Sequence, residues 1–302
     1  MLQSLTRCST IAMTIAIVAA IAMPSAAQKK TKEPVFRVAK NTSQAKVPAK
    51  NASATKSTDA FEAHPLTPCI KTAEEGLERI KKDLYDYTGM MVKRERVNGV
   101  LGDTEYIKFK IRNEREVDGK KVPFSIYMRF LKPTDIRGQE CIWVEGENKG
   151  KIIAHANPKT AMGRITVRLD PDGNLAMKGN KYPIYDAGIE NLVKKLIEKA
   201  SRDREAGDCV VNVSETAKIN KRPCQMIELI HKEKKAPYEF YKAKVYIDKE
   251  LNLPVRYVAY DWPTSEGAKP KILEEYTYVN IQTNVGLTDE DFNHKNDAYD
   301  YR

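Results

Sequence analysis

No stretch of this sequence holds the roughly 20 consecutive apolar residues that a membrane-crossing helix needs, which excludes a bundle of spanning helices. Histidine is scarce: the 4 residues stand far apart at positions 64, 155, 231 and 294. There is no C-x-x-C, no H-E-x-x-H, no G-x-S-x-G and no glycine-rich phosphate loop. These absences remove zinc fingers, the common metalloproteases, α/β-hydrolases and nucleotide-binding folds. A spatial cluster of His155 and His231 with carboxylates is conceivable, but lone structural histidines are the simpler reading. The adjacent pair Glu274-Glu275 points to opposite faces of a strand and does not make an acid/base couple. The expectation is a protein that is not an enzyme and uses no cofactor and no metal.

What is present is enough for a packed core, since 41% of the residues are apolar. The net charge is +10, and its address matters more than its size. Residues 28–60 carry eight Lys/Arg against two acids, leaving only +3 on residues 61–302. The basic segment, rich in Lys, Ala, Ser and Thr, reads as a disordered linker that could meet an anionic membrane surface. Phe240 to Tyr246 interleaves aromatics with lysines, as a nucleic-acid platform does. On a half-exposed strand that pattern is also ordinary, and no nucleic-acid partner is expected.

Residues 1–27 have the form of an export signal: Arg7, then a 13-residue hydrophobic region from Ile11 to Met23 interrupted only by Thr14, then Pro24 and Ser25-Ala26-Ala27. Export places the mature chain in the periplasm or cell envelope. Cys69, Cys141, Cys209 and Cys224 are then disulfide candidates, with buried free thiols the equal alternative. Cys209 and Cys224 flank a hairpin, although its turn at Ile219-Asn220-Lys221 lies off-centre between them.

From Phe61 onward the periodicities define one domain, residues 61–302. Ile70, Ala73, Leu77, Ile80 and Leu84 recur at helical spacing, and Ile189, Leu192, Val193, Leu196, Ile197 and Ala200 mark a second helix. Elsewhere the period is two. Strands are expected over 85–97, with an Asn98-Gly99 turn, and over 106–112, 122–131, 139–145, 151–156, 164–170, 209–217, 224–231, 239–248, 254–262 and 272–282. The end of the chain reads as an acidic turn at Asp289-Glu290-Asp291 and a tail, and Arg94-Glu95-Arg96 as charge pairing on a wet face. With no strand–helix–strand alternation, the fold class is mainly β with helices (α+β): a strongly curved antiparallel sheet or unclosed barrel covered by two main helices.

Several segments also carry a resemblance: Lys93 to Gly99, Pro123 to Phe130, His155, Ile247-Asp248, Leu253 to Tyr257, Glu274 to Tyr278, and Asp291-Phe292. Together they resemble a domain-of-unknown-function family of exported bacterial proteins of planctomycete type, itself similar to the outer-membrane lipoprotein carrier superfamily. That resemblance implies an unclosed antiparallel barrel, plugged by helices, around an apolar cavity. The step from Asp248 to Leu253-Pro254 is its clearest shared feature and speaks to fold; no ligand-gating residue carries over.

A curved sheet with an apolar inner face suits a greasy ligand. Phe124, Ile126, Met128, Phe130, Tyr257, Tyr276 and Tyr278 are the candidate lining residues. A chain of ~16 carbons would gain roughly 12 kcal/mol before entropic costs. The expected protein is a monomer that binds a lipid, lipoprotein or other apolar ligand; the alternative is an envelope interaction or sensor module that recruits a protein partner.

Overall fold

In a computed structural model the residues described are 63–156 and 165–301. The export signal, the basic linker, the domain start at Phe61 and the Asn157-Pro158 turn lie outside them. Helix α1 (Thr67–Asp83) starts with Pro68 in its first turn, where a missing N–H costs nothing, and stops as Leu84 turns extended. Strand β1 (Asp86–Val97) follows at once. Asn98 and Gly99 both have positive φ, as a tight hairpin turn requires, and lead into the short β2 (Val100–Leu101).

The chain then steps outward through β3 (Glu105–Arg112), β6 (Ser125–Lys132), β7 (Glu140–Val144), β8 (Ile152–His155) and β9 (Thr166–Leu169). A small separate hairpin, β4 (Arg115–Val117) with β5 (Lys120–Val122), interrupts this run; the reading of 122–131 as one strand missed it. Helix α2 (Ile189–Ala206) carries the chain across to the other side. Strands β10 (Val210–Ile219), β11 (Arg222–Ile230), β12 (Lys242–Asp248), β13 (Pro254–Tyr260) and β14 (Ile272–Thr283) then step back inward. The result is a 12-stranded antiparallel sheet in the order β10-β11-β12-β13-β14-β1-β3-β6-β7-β8-β9, with β2 paired to β1. It is unclosed: β9 and β10 are its edges.

Bulges in the β1–β14, β3–β6, β12–β13 and β13–β14 ladders add local twist. At the first, a Cβ on Gly89 would stand 2.9 Å from the Phe109 ring and 3.1 Å from the Val279 carbonyl, so only glycine lets β1 pass there.

The apolar stripes of both helices cover the concave face. Ile80 and Leu84 from the α1 end, with Ile189 and Val193 of α2, pack on Tyr87, Ile111, Ile126 and Trp143. His64 Nε2 lies 3.1 Å from the Gly207 carbonyl and ties the start of α1 to the end of α2. Two tyrosines meet the start of α2. Buried Tyr87 Oη accepts the Ile189 N–H at 2.7 Å, and the Gly188 backbone lies beside Tyr278, where it partly offsets the rise that burial gives the phenol. Tyr87→Phe leaves the Ile189 N–H unsatisfied, an expected loss of about 1–2 kcal/mol. Thermal melts should register roughly 2–8 °C; an unchanged Tm would show that α2 does not depend on this cap.

The C-terminal segment is not a tail. Phe292 and Tyr299 pack on Tyr127, Ile142 and Val144, on the convex face of β6 and β7. Tyr299 stacks on Tyr127 with ring centroids 4.2 Å apart, and Tyr301 Oη donates to the Ile153 carbonyl. The acidic turn is bound as well: Asp291 pairs with Lys110 and Asp289 with Arg112, each at 2.7 Å. Residues 287–301 therefore strap the outside of one half of the sheet.

Among the described residues, Cys69, Cys141, Cys209 and Cys224 are free thiols. The β10–β11 register rules out the Cys209–Cys224 pair: Val210 faces Ile230 while Cys224 faces Ala217. Those positions lie about 20 Å apart along the ladder, far beyond the reach of a disulfide.

Candidate functional site

The pairing register sorts the concave face into rows. One row is apolar and filled: Ile111, Ile126 and Trp143 face one another across β3, β6 and β7 beneath the helices, while Ile152 of β8, packed in the same cluster, reaches the cavity. The next two are apolar and open. Tyr278, Met91, Ile107 and Phe130 run across β14, β1, β3 and β6, and Phe109, Met128, Cys141 and Ala154 across β3, β6, β7 and β8. Beyond them lies a polar row, Tyr257-Tyr276-Lys93-Glu105, and then Glu274 opposite Glu95.

Between these rows, α2 and the segment joining β9 to α2 lies a cavity of about 310 Å³. Met128, Phe130, Tyr257, Tyr276 and Tyr278 line it. Phe124 and Ile126 do not. Ile126 is fully buried in the filled row, and the Phe124 ring packs on Trp143.

Sequence reasoning missed the buried charges. Lys93, Glu95 and Glu274 are 8%, 5% and 2% exposed. This corrects the placing of Glu95 on a wet face: only its neighbours Arg94 and Arg96 are partly exposed there. Strand parity was the available signal, because Lys93 and Glu95 share a face with Met91, and Glu274 shares one with Tyr276 and Tyr278. Lys93 stands 3.4 Å from Glu95 and 3.3 Å from Glu105. The Tyr276 hydroxyl donates to Glu95.

Four contacts latch the β9–α2 segment onto this row. Lys93 donates to Asn180, and the Lys181 N–H to Glu95 at 2.9 Å. The Lys181 ammonium lies 2.7 Å from Glu274, to which the Tyr182 hydroxyl donates at 3.3 Å. Leu175 and Lys178, on the same segment, stand exposed where the cavity opens.

Burial dominates the electrostatics. It raises the Glu105 carboxyl, partly offset by Lys93. Burial, then the Glu95 and Glu274 carboxylates, push the Tyr276 phenol far up; burial and Glu274 do the same to Tyr182. Burial, only partly offset by Lys93 and aided by Glu140, pushes the Cys141 thiol to about 12, so it offers no nucleophile.

The histidines do not meet. His155 lies on β8 against the Tyr301 ring, and His231 follows β11 on the far side of the sheet. His231 is buried 3.4 Å from Asp203 and stacks on Tyr238. Among the described residues no group of three His, Cys, Asp or Glu side chains could hold a metal. No helix among them is long and apolar enough to cross a membrane.

Residues 84–301, from the end of α1 to the strap, match the family described as "Protein of unknown function (DUF1571)". The chain belongs to that family. No curated protein matches. Among solved structures, this DUF1571 chain is similar to a DUF1329 family protein from Desulfovibrio piger, at 14% identity and a TM-score of 0.37, covering 77% of this chain and 98% of that one. It is also similar to the Mycobacterium tuberculosis lipoprotein LppX, at 13% identity and 0.40, covering 73% and 98%. A third similarity is to a LolA superfamily protein from Nitrosomonas europaea, at 10% identity and 0.31, covering 74% and 97%. Likeness at that level leaves the chemistry to this chain's own residues.

Proposed function

We propose that this DUF1571 protein is a non-catalytic, exported protein of the cell envelope that holds the apolar chain of a lipid-like ligand against the concave face of its sheet. The cavity carries this reading. Its open rows offer Met91, Ile107, Met128, Phe130, Ala154 and Tyr278, and its volume falls at the low end of the range for small-molecule sites. That size suits one chain better than two. The β9–α2 segment, held by hydrogen bonds and ion pairs to the sheet, is placed to cover the ligand. The leader-like residues 1–27 support export, and the basic residues 28–60 supply positive charge for an anionic membrane surface.

The test is extraction of the purified protein with organic solvent followed by mass spectrometry, together with titration of a fluorescent single-chain fatty-acyl probe. The expected result is a co-purifying amphiphile, or one-to-one uptake of the probe. A protein that carries nothing and leaves the probe unbound would remove the reading.

A further inference from the structure

We propose that the polar row of the cavity recognises the head of its ligand, and that this head is a hydrogen-bond-donating cation of the alkylammonium class, with an anionic head disfavoured; the inference rests on the apolar-ligand reading above. Three carboxylates and three lysines meet at this end, so the count alone decides nothing. Their engagement does.

Each lysine is already taken. Lys93 is shared by Glu95, Glu105 and Asn180. Lys181 is held by Glu274 at 2.7 Å, and Lys199 by Glu239 at 2.8 Å. Of the two remaining lysines on the cavity wall, Lys195 pairs with Asp186 at 3.0 Å, and Lys178 stands at the exposed mouth.

The acceptors are not exhausted. Glu274 Oε2 and Glu105 Oε2 are buried and carry no aligned hydrogen bond, although Lys181 and Lys93 stand near them as ion-pair partners. Tyr257, a residue 4% exposed on the same row, turns its hydroxyl toward Glu274. Each carboxylate can accept about four hydrogen bonds, and leaving a buried acceptor short of partners is costly. A donor head relieves that cost; an anionic head adds to the number of buried negative charges.

The phenols report the same field. After burial, the carboxylates of Glu274 and Glu239 raise Tyr257, and those of Glu95 and Glu274 raise Tyr276. Asp135 adds to the negative side at Glu105. The apolar rows beside these groups supply the place for the tail of the same molecule.

The experiment is displacement of the fluorescent acyl probe from the full chain at pH 7.5 by three ligands of one chain length: dodecylammonium, dodecanol and dodecanoate. Dodecylammonium is expected to bind at least tenfold more tightly than dodecanoate, with dodecanol between. In Glu105→Gln that ratio should fall at least threefold. Equal or tighter binding of dodecanoate by the unaltered protein overturns the head-group assignment and leaves the apolar site standing. A ratio unchanged in a folded Glu105→Gln protein also counts against it. If none of the three displaces the probe, the apolar-ligand reading fails and this inference fails with it.

Discussion

Asp248→Ala is expected to cost about 3 kcal/mol, near the lower end for breaking a buried ion pair because Arg222 keeps access to water. The Asp248 carboxylate is fully buried at the end of β12. It pairs with the Arg222 guanidinium and accepts the backbone N–H groups of Glu250 and Leu251 at 2.9 Å each. Those bonds fix the turn that leads into Leu253 and Pro254 and so set the start of β13. Truncation removes acceptors from two amides and leaves the guanidinium without its main partner. Thermal melts at pH 7 should fall by roughly 6–12 °C, and a drop under 2 °C would show that the turn holds without the carboxylate. The pH dependence has a definite sign. Burial raises the Asp248 carboxyl, but Arg222 and the two N–H groups outweigh it and hold it below the ordinary Asp value. Its contribution is therefore complete above the unfolded Asp pKa of about 4 and is lost as pH falls through the lower folded value. The gap between wild type and Asp248→Ala should stay constant from pH 6 to 8 and shrink below about pH 4.

Ala154→Phe should abolish ligand uptake while leaving the fold intact. Ala154 lines the cavity from β8, opposite Cys141. A benzyl group there occupies the space that the ligand chain requires. Binding of the fluorescent acyl probe should weaken at least tenfold. Stability distinguishes an open site from a packed one. Overpacking a filled core costs about 1–3 kcal/mol, whereas filling a cavity supplies missing contacts. The expected pairing is lost binding with an unchanged or higher Tm. Retained binding would place the ligand elsewhere, and a Tm lower by several degrees would mean that Ala154 faces packed side chains.

The strand plan was legible because alternation is a local signal. Ile107, Phe109 and Ile111 alternate with Lys108, Lys110 and Arg112, and the helical stripe from Ile189 onward is equally plain. The inner face of β1 was not read, because Arg94-Glu95-Arg96 looks like solvent when taken as a triplet; only the parity carried up from Met91 turns Lys93 and Glu95 inward. The strap was hidden for another reason. Its acids are neutralised by Lys110 and Arg112, nearly 180 residues earlier in the chain, and no local pattern reports a partner so distant. Within the candidate lining, Phe124 and Ile126 share an apolar, alternating segment with Met128 and Phe130. Which of them meet the cavity depends on where α1 and α2 come to rest.

Strand β1 lies at the middle of the sheet order, and its two neighbours arrive at very different times. Strand β3 follows within a short hairpin, whereas β14 is the last strand among the described residues: Thr88 pairs with Gln282. The last-made strand thus completes the first. Until it does, β1 presents an open edge of unpaired amides, and the late loop closure adds an entropic cost that slows assembly. A nascent chain therefore holds a half-sheet with a sticky flank until β14 arrives. The order of assembly, and not the final contacts alone, sets how long that edge stands open.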